Sequence, residues 1–225
     1  MQTYETILAR RSVRRFTDQP IKDEIINRLL SCAMAGPSAC NYRPWAFYVV
    51  KNAEKREALR HVSRFSNLGS TLNIIVAGDL SRSITRADND FWIQDCAAAT
   101  ENILLAATDA GLGACWCGLY PMAAAVNKVR AALDLPETIV PMALIHLGYP
   151  AETPEPRTQY DAEQGCFTLT LLGVRYQIAH PEYAISAESP DAFALKSLPC
   201  QTFLLRFLLE GRKAEPYGAF KTFRE

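Results

Sequence analysis

The chain has 225 residues, 49% of them hydrophobic, and its 24 basic and 24 acidic side chains cancel. That is enough apolar material for one well-cored domain, and two would be a tight fit. A zero net charge argues against a broad nucleic-acid-binding face. No stretch approaches the roughly 20 uncharged apolar residues that a membrane span needs, and Met1–Ala9 lacks the apolar core of a signal peptide. The seven cysteines follow no disulfide framework, which points to free thiols in a reducing, cytoplasmic setting. Cys115-x-Cys117 has no second ligand pair at zinc spacing and the three histidines are scattered, so no metal site is expected.

Thr3–Arg10 reads as a short helix that carries Ile7 and Leu8 toward a core. Asp18-Gln19-Pro20 is a turn. Beyond it, Ile21, Ile25, Leu29 and Ala33 repeat every four residues beside a row of Ile26, Leu30 and Met34, one broad apolar stripe at helical period. Gly36-Pro37 ends that helix. Trp45–Lys51 is aromatic and β-branched and predicts a strand. Ala53–Val62 predicts a helix, and Asn73–Asp79 a buried strand. Phe91–Ala110 is alanine-rich and apolar nearly all round, the pattern of a helix buried on several sides. The glycines at 111 and 113 terminate it. Ala114–Tyr120 predicts a strand or extended loop, Ala123–Leu133 a helix and Val140–Gly148 a third buried strand. The mixture implies an α+β layered domain. After the proline-rich excursion Tyr149–Arg157 the text changes character. Residues 166–225 hold six of the ten phenylalanines, too apolar for a solvated tail.

Four blocks carry chemistry. Arg10-Arg11-Ser12-Val13-Arg14-Arg15 puts four arginines in six positions. In an extended chain Arg10, Ser12 and Arg14 share a side, and two guanidinium groups with a hydroxyl suit a phosphate. A solvated basic edge or a kinase recognition string fits the same residues. The second block, Gly36–Trp45, joins a helix to a strand through two prolines, and its Ser38 and Asn41 offer hydrogen bonds. An ordinary loop has the same composition. In the third, Gly111–Pro121, glycines would let backbone N–H groups face a ligand. The fourth is Gly148–Arg157, where a lone arginine after a bend is ordinary surface.

Taken together, RRSVRRF at 10–16, GPSACNYRPWAF at 36–47, GLGACWCGLYP at 111–121 and LGYPAETPEPR at 147–157 agree in order and spacing with one family. Across residues 3–161 the chain resembles the FMN-dependent nitroreductases. The resemblance implies an α+β fold with a central, mostly antiparallel sheet flanked by helices. It implies an intertwined homodimer with FMN sites built from both subunits. It assigns flavin contacts to Arg10, Ser12 and Arg14, with Arg11 adding backbone or charge and Arg15 left outside. Pro37, Ser38, Ala39 and Asn41 match the block reaching the flavin from the partner subunit. Cys117, Gly118 and Leu119 match the segment along the isoalloxazine ring, and Arg157 the late basic residue at the phosphate. Hydride would pass from NADH or NADPH through FMN to a small nitroaromatic, quinone or similar acceptor in a ping-pong cycle. The cofactor does the redox chemistry, so no catalytic side chain is assigned. Partners from nucleic acid or membrane are not expected. Specialised flavin chemistry (dehalogenation or flavin fragmentation), with a lid from 64–84, and flavin storage without a dedicated substrate remain as alternatives.

The chain departs from the family beyond residue 161. The expected division is a flavin-binding domain over 1–161 and a C-terminal extension over 162–225. The extension is an added subdomain, an ordered arm, or a continuation in a shifted reading frame.

Overall fold

The computed structural model describes residues 2–83, 90–156 and 159–161 in full, and beyond them five strands by their backbone. The chain divides into two units, Met1–Arg157 and Thr158–Glu225.

In the first unit, helices α1 (Thr3–Ala9), α2 (Asp23–Met34), α3 (Ala53–Arg60), α4 (Phe91–Asp109) and α5 (Ala123–Leu133) accompany strands β1 (Trp45–Val50), β2 (Leu72–Asp79), β3 (Gly113–Gly118) and β4 (Ile139–Gly148). The sheet runs β1-β2-β4-β3, with every neighbouring pair antiparallel. β2 and β4 are central, so both their faces are covered. Period-two alternation therefore disappears from their sequences and a continuous apolar run remains. Ile74 and Val76 face α2 and α4 with Leu29, Ala33, Cys96, Ala99 and Ile103. Ile75 and Ala77 face α3 and α5 with Leu59, Val126 and Val129. No helix among the described residues is long and apolar enough to cross a membrane.

Two expectations need correction. Ile7 and Leu8 are 50% and 39% exposed, and the buried residue of α1 is Thr6, whose hydroxyl donates to the Gln2 carbonyl. A helix of seven residues offers one narrow inward face, and here it is the polar one. The segment 64–84 is not a continuous lid, because β2 runs through it as a central strand.

Two glycines decide where the arginine segment lies. Gly113 and Gly148 pair across β3 and β4. A Cβ on Gly113 would stand 2.8 Å from Val13 Cβ, and one on Gly148 2.9 Å from Phe16 Cδ1. The flat notch they make takes Val13 and Phe16. The backbone then locks in place: Val13 N–H donates to the Ala114 carbonyl at 2.9 Å, Thr17 N–H to Tyr149 and Ala151 N–H to Arg15.

A bulge in β4 sets the other end of β3. The register shifts between Val76 and Ala77, which pair with Ala143 and Pro141. Met142 is thereby freed from the ladder, a usual setting for a proline inside a sheet. Its carbonyl accepts from Leu119 N–H at 2.9 Å and Tyr120 N–H at 3.2 Å, which anchors the chain just past Gly118.

On the α3/α5 side, fully buried His146 pairs in register with Asn73 on one flank and Cys115 on the other. Asn73 Nδ2 donates to His146 Nδ1 at 2.9 Å, with Ser70 Oγ also 2.9 Å away. The ring proton is thus on Nε2, which has no partner among the described residues. Burial, reinforced by Arg60, pulls the pKa of His146 down to about 4.

In the second unit β5 (Phe167–Leu171), β6 (Val174–Ile178) and β9 (Phe220–Phe223) form one antiparallel sheet, and β7 (Ser186–Ser189) pairs with β8 (Ala192–Ala194).

Gly113→Ala is expected to cost about 1–3 kcal/mol through overpacking against Val13. Gly118→Ala, with nothing within 4 Å of its would-be Cβ, should leave the urea midpoint unchanged. Equal midpoints for the two variants would contradict the notch. His146 binds its proton in the unfolded chain below about pH 6.5 but not in the folded one until about pH 4. The unfolded state holds more protons in that window, so stability should fall as pH drops through it. His146→Gln should flatten this slope in urea titrations across pH 4–6.5.

Candidate functional site

Ser12 forms an isolated parallel bridge with Ala114 of the edge strand β3, and the segment then passes to the end of β4, where Phe16 packs on Gly148 and bridges Pro150. Val13 is buried, Arg14 and Arg15 are exposed, and Arg10, Arg11 and Ser12 are half-buried. Val13 turns inward, so alternation sends Ser12 and Arg14 the other way.

The four arginines then separate by partner. Arg10 Nε lies 3.3 Å from Glu101 of α4. Arg15 Nε donates to Glu152 Oε2 at 2.9 Å. Arg11 and Arg14 have no acidic partner at ion-pair distance among the described residues. Arg14 is close enough to β3 to favour the thiolates of both Cys115 and Cys117. Interaction with the neighbouring Cys117 thiol, aided by Arg14 and opposed by burial, lowers the Cys115 pKa to about 7. The same pairing, with burial behind it, raises Cys117.

Cys117, Gly118 and Leu119 continue this edge. Cys117 and Leu119 are buried, and Cys117 Sγ donates to the Phe65 carbonyl at 3.2 Å. Gly118 is exposed, with nothing among the described residues within 4 Å of a would-be Cβ. The backbone at Gly118 is therefore open to close approach by a flat ligand. Ser12 meets β3 at Ala114, and Cys117 and Gly118 form the other end of the same strand.

Pro37, Ser38, Ala39 and Asn41 lie elsewhere, in the loop after α2. Ala39 N–H donates to the buried Asp95 carboxylate of α4 at 2.9 Å. Ser38 Oγ accepts from Arg43 N–H at 3.0 Å, and Asn41 Oδ1 from Arg43 Nε at 2.8 Å. Cys40, Asn41 and Arg43 all have positive φ, at 47°, 57° and 51°, a strained run that these bonds hold in place. Pro37, Cys40, Asn41 and Tyr42 are exposed. No hydrogen bond among the described residues links this loop to the arginine segment or to Cys117–Leu119. Arg157 lies outside the described residues.

Sequence reasoning missed Asp95, Glu101 and Glu152. Asp95 and Glu101 carried one weak signal, as carboxylates inside the alanine-rich apolar run of α4, and Glu152 carried none. A cleft of about 410 Å³ between α3 and the start of β2 is lined by none of the predicted residues. Its arginines already serve the fold: Arg56 donates to the Ser70 carbonyl, and Arg60 pairs with Glu57.

The donor set at the β3 edge suits an anion carried by a planar body. Two guanidinium groups, Arg11 and Arg14, lack acidic partners among the described residues, and a third, Arg10, can exchange its half-exposed Glu101 for a stronger acceptor. The Ser12 hydroxyl lies between them in sequence, and the strand that Ser12 bridges ends at the open Gly118 backbone.

A four-stranded antiparallel sheet between helix pairs, edged by this segment, has close counterparts of known structure. The chain belongs to the nitroreductase family, whose model matches residues 7–68 and 68–149. A Methanothermobacter thermautotrophicus protein provisionally named NADH dehydrogenase/NAD(P)H nitroreductase is 38% identical over 164 residues, covering 73% of this chain and 85% of that protein. The crystal structure of a similarly named Parabacteroides distasonis protein is 36% identical with a TM-score of 0.68, over 73% of this chain and 96% of its own. A provisionally named nitroreductase from Desulfovibrio desulfuricans, solved in complex with FMN, is 28% identical with a TM-score of 0.64, over 72% and 94%.

Asp95→Ala should leave the Ala39 N–H without its acceptor, at about 1–3 kcal/mol. A lower melting temperature and faster amide exchange at Ala39 are expected. Wild-type values of both would show that Asp95 does not moor the loop.

Proposed function

We propose that the chain is an FMN-dependent NAD(P)H oxidoreductase acting on small electrophilic acceptors such as nitroaromatics or quinones. The observation that carries this reading is the edge of β3. Ser12 of the arginine segment bridges Ala114 of β3, the same strand ends at the open Gly118 backbone, Arg11 and Arg14 have no acidic partner among the described residues, and a relative of the same fold is described as a complex with FMN. Bound FMN would supply two-electron chemistry, accepting hydride from NADH or NADPH and delivering it to the acceptor in a ping-pong cycle.

The chain's own residues bind and tune. Arg10 and Ser12, with Arg157, hold the phosphate, Arg14 compensates negative charge at the flavin ring, and Arg11 adds backbone or charge. Cys117, Gly118 and Leu119 present backbone along the ring. Pro37, Ser38, Ala39 and Asn41 complete the site from the second subunit of a homodimer. Two features support that dimer. The loop is exposed and separate from the other blocks, and Tyr4, Ile7, Leu8, Met34 and Tyr42 leave a large apolar area uncovered, from 39% to 73% exposed. Exposed apolar area on this scale marks an interaction surface.

The purified protein should be yellow and should release FMN on denaturation. Anaerobic addition of NADH or NADPH should bleach it. A colourless protein that takes up no added FMN would sink the reading. Arg10→Ala and Arg14→Ala should each weaken FMN binding about tenfold or more, the loss expected for a charge-assisted hydrogen bond. Arg15→Ala, which removes only an exposed ion pair, should change it less than about threefold. Equal losses at all three positions would indicate a diffuse basic patch.

A further inference from the structure

Glu152 makes a denser set of bonds than an exposed carboxylate usually does. Its Oε1 accepts from Arg14 N–H at 2.6 Å and from Arg15 N–H at 3.1 Å, while Oε2 accepts from Arg15 Nε at 2.9 Å. The side chain is 20% exposed, against 76% for Arg15. These bonds hold the Glu152 carboxyl below the usual carboxylate range, with the Arg14 backbone as the largest cause. Ala151 N–H to Arg15 O, one residue earlier, ties the same two segments together.

Two consecutive backbone N–H groups converging on one oxygen form an anion-binding concavity. Here the chain fills it with its own carboxylate. The consequence is a division of labour between adjacent arginines. Arg15 is neutralised on Glu152, and Arg14 keeps a guanidinium without an acidic partner among the described residues, whose charge favours the thiolates of Cys115 and Cys117. Without the clamp, Arg14 N–H has no other acceptor among the described residues, and only the flanking bonds, Val13 N–H to Ala114 and Ala151 N–H to the Arg15 carbonyl, hold the segment.

We propose that Glu152 is a positioning residue for cofactor binding: it clamps the backbone of Arg14 and Arg15 and so aims the Arg14 guanidinium at the ligand alongside β3. This rests on the FMN reading above. The clamp acts through the backbone, and the exposed Arg15 ion pair contributes little to it.

The test is an FMN titration of apo-protein, followed by flavin fluorescence, with amide exchange at Arg14 and Arg15. Glu152→Ala should weaken FMN binding about tenfold or more and speed exchange at both amides. Glu152→Gln, which keeps one oxygen able to accept from both N–H groups, should stay within about threefold of wild type. In an Arg14→Ala background the Glu152→Ala loss should vanish, because the two residues act in series. If Glu152→Ala does not fold, Glu152→Asp, one methylene short of the clamp, replaces it with the same expectation. Wild-type FMN affinity in Glu152→Ala would overturn the proposal, as would an undiminished loss in the Arg14→Ala background. Failure of the wild-type protein itself to bind FMN is a different result. It overturns the functional reading and the positioning role with it, whatever the variants do.

Discussion

The site depends on a steric vacancy. Gly113 and Gly148 sit opposite each other on neighbouring strands, and the missing side chains admit Val13 and Phe16. Burying two apolar side chains is the driving force; the sheet edge supplies the direction. Once Val13 is seated, the backbone bond to Ala114 fixes Ser12 and Val13 against β3, and Thr17 N–H to Tyr149 holds the far end of the segment. Alternation then determines which side chains face outward. A basic segment that would repel itself as a free strand is held extended because its apolar members have a place to go.

Charge is sorted by the same frame. Four arginines in six positions would form a diffuse positive patch if all were free. Glu101 and Glu152 engage the outer two, and Arg11 and Arg14 remain without acidic partners among the described residues. The positive charge without an acidic partner is thereby narrowed to the two residues that flank Ser12 and Val13, where the segment meets β3 at Ala114. In the proposed enzyme, that is where a phosphate and a flavin ring would need it. At the far end of β3, the bulge at Met142 fixes Leu119 and Tyr120 by the same economy, using one carbonyl for two N–H groups. Asp95 does the equivalent for the loop after α2, where three residues with positive φ need an external anchor.

Much of the scaffold was legible from periodicity. The stripe in α2, the near-uniform apolar character of α4 and the buried runs of β2 and β4 all follow from which faces are covered. Ile7, Leu8 and Met34 were less legible. Their hydrophobicity predicts burial, yet they are exposed in this chain, because a sequence does not say whether its own core or another surface will cover them. The basic cluster was visible as a cluster, but the partners that divide it were not. Glu101 and Glu152 lie 91 and 137 residues from Arg10 and Arg15, as the numbering shows, and neither indicates its partner locally. The left-handed turn at Cys40 and Arg43 was equally hidden, since neither residue type favours positive φ.

The central claim is that the arginine segment recognises the phosphate of a flavin mononucleotide. Equilibrium titration of apo-protein with FMN and with riboflavin, which differ only in that phosphate, tests it most directly. Two or more charge-assisted contacts predict that wild-type protein binds FMN about 100-fold or more tightly than riboflavin. Loss of the Arg10 guanidinium should reduce that gap about tenfold, mainly by weakening FMN. Equal affinity for the two flavins, or a gap that Arg10→Ala leaves untouched, would contradict the account.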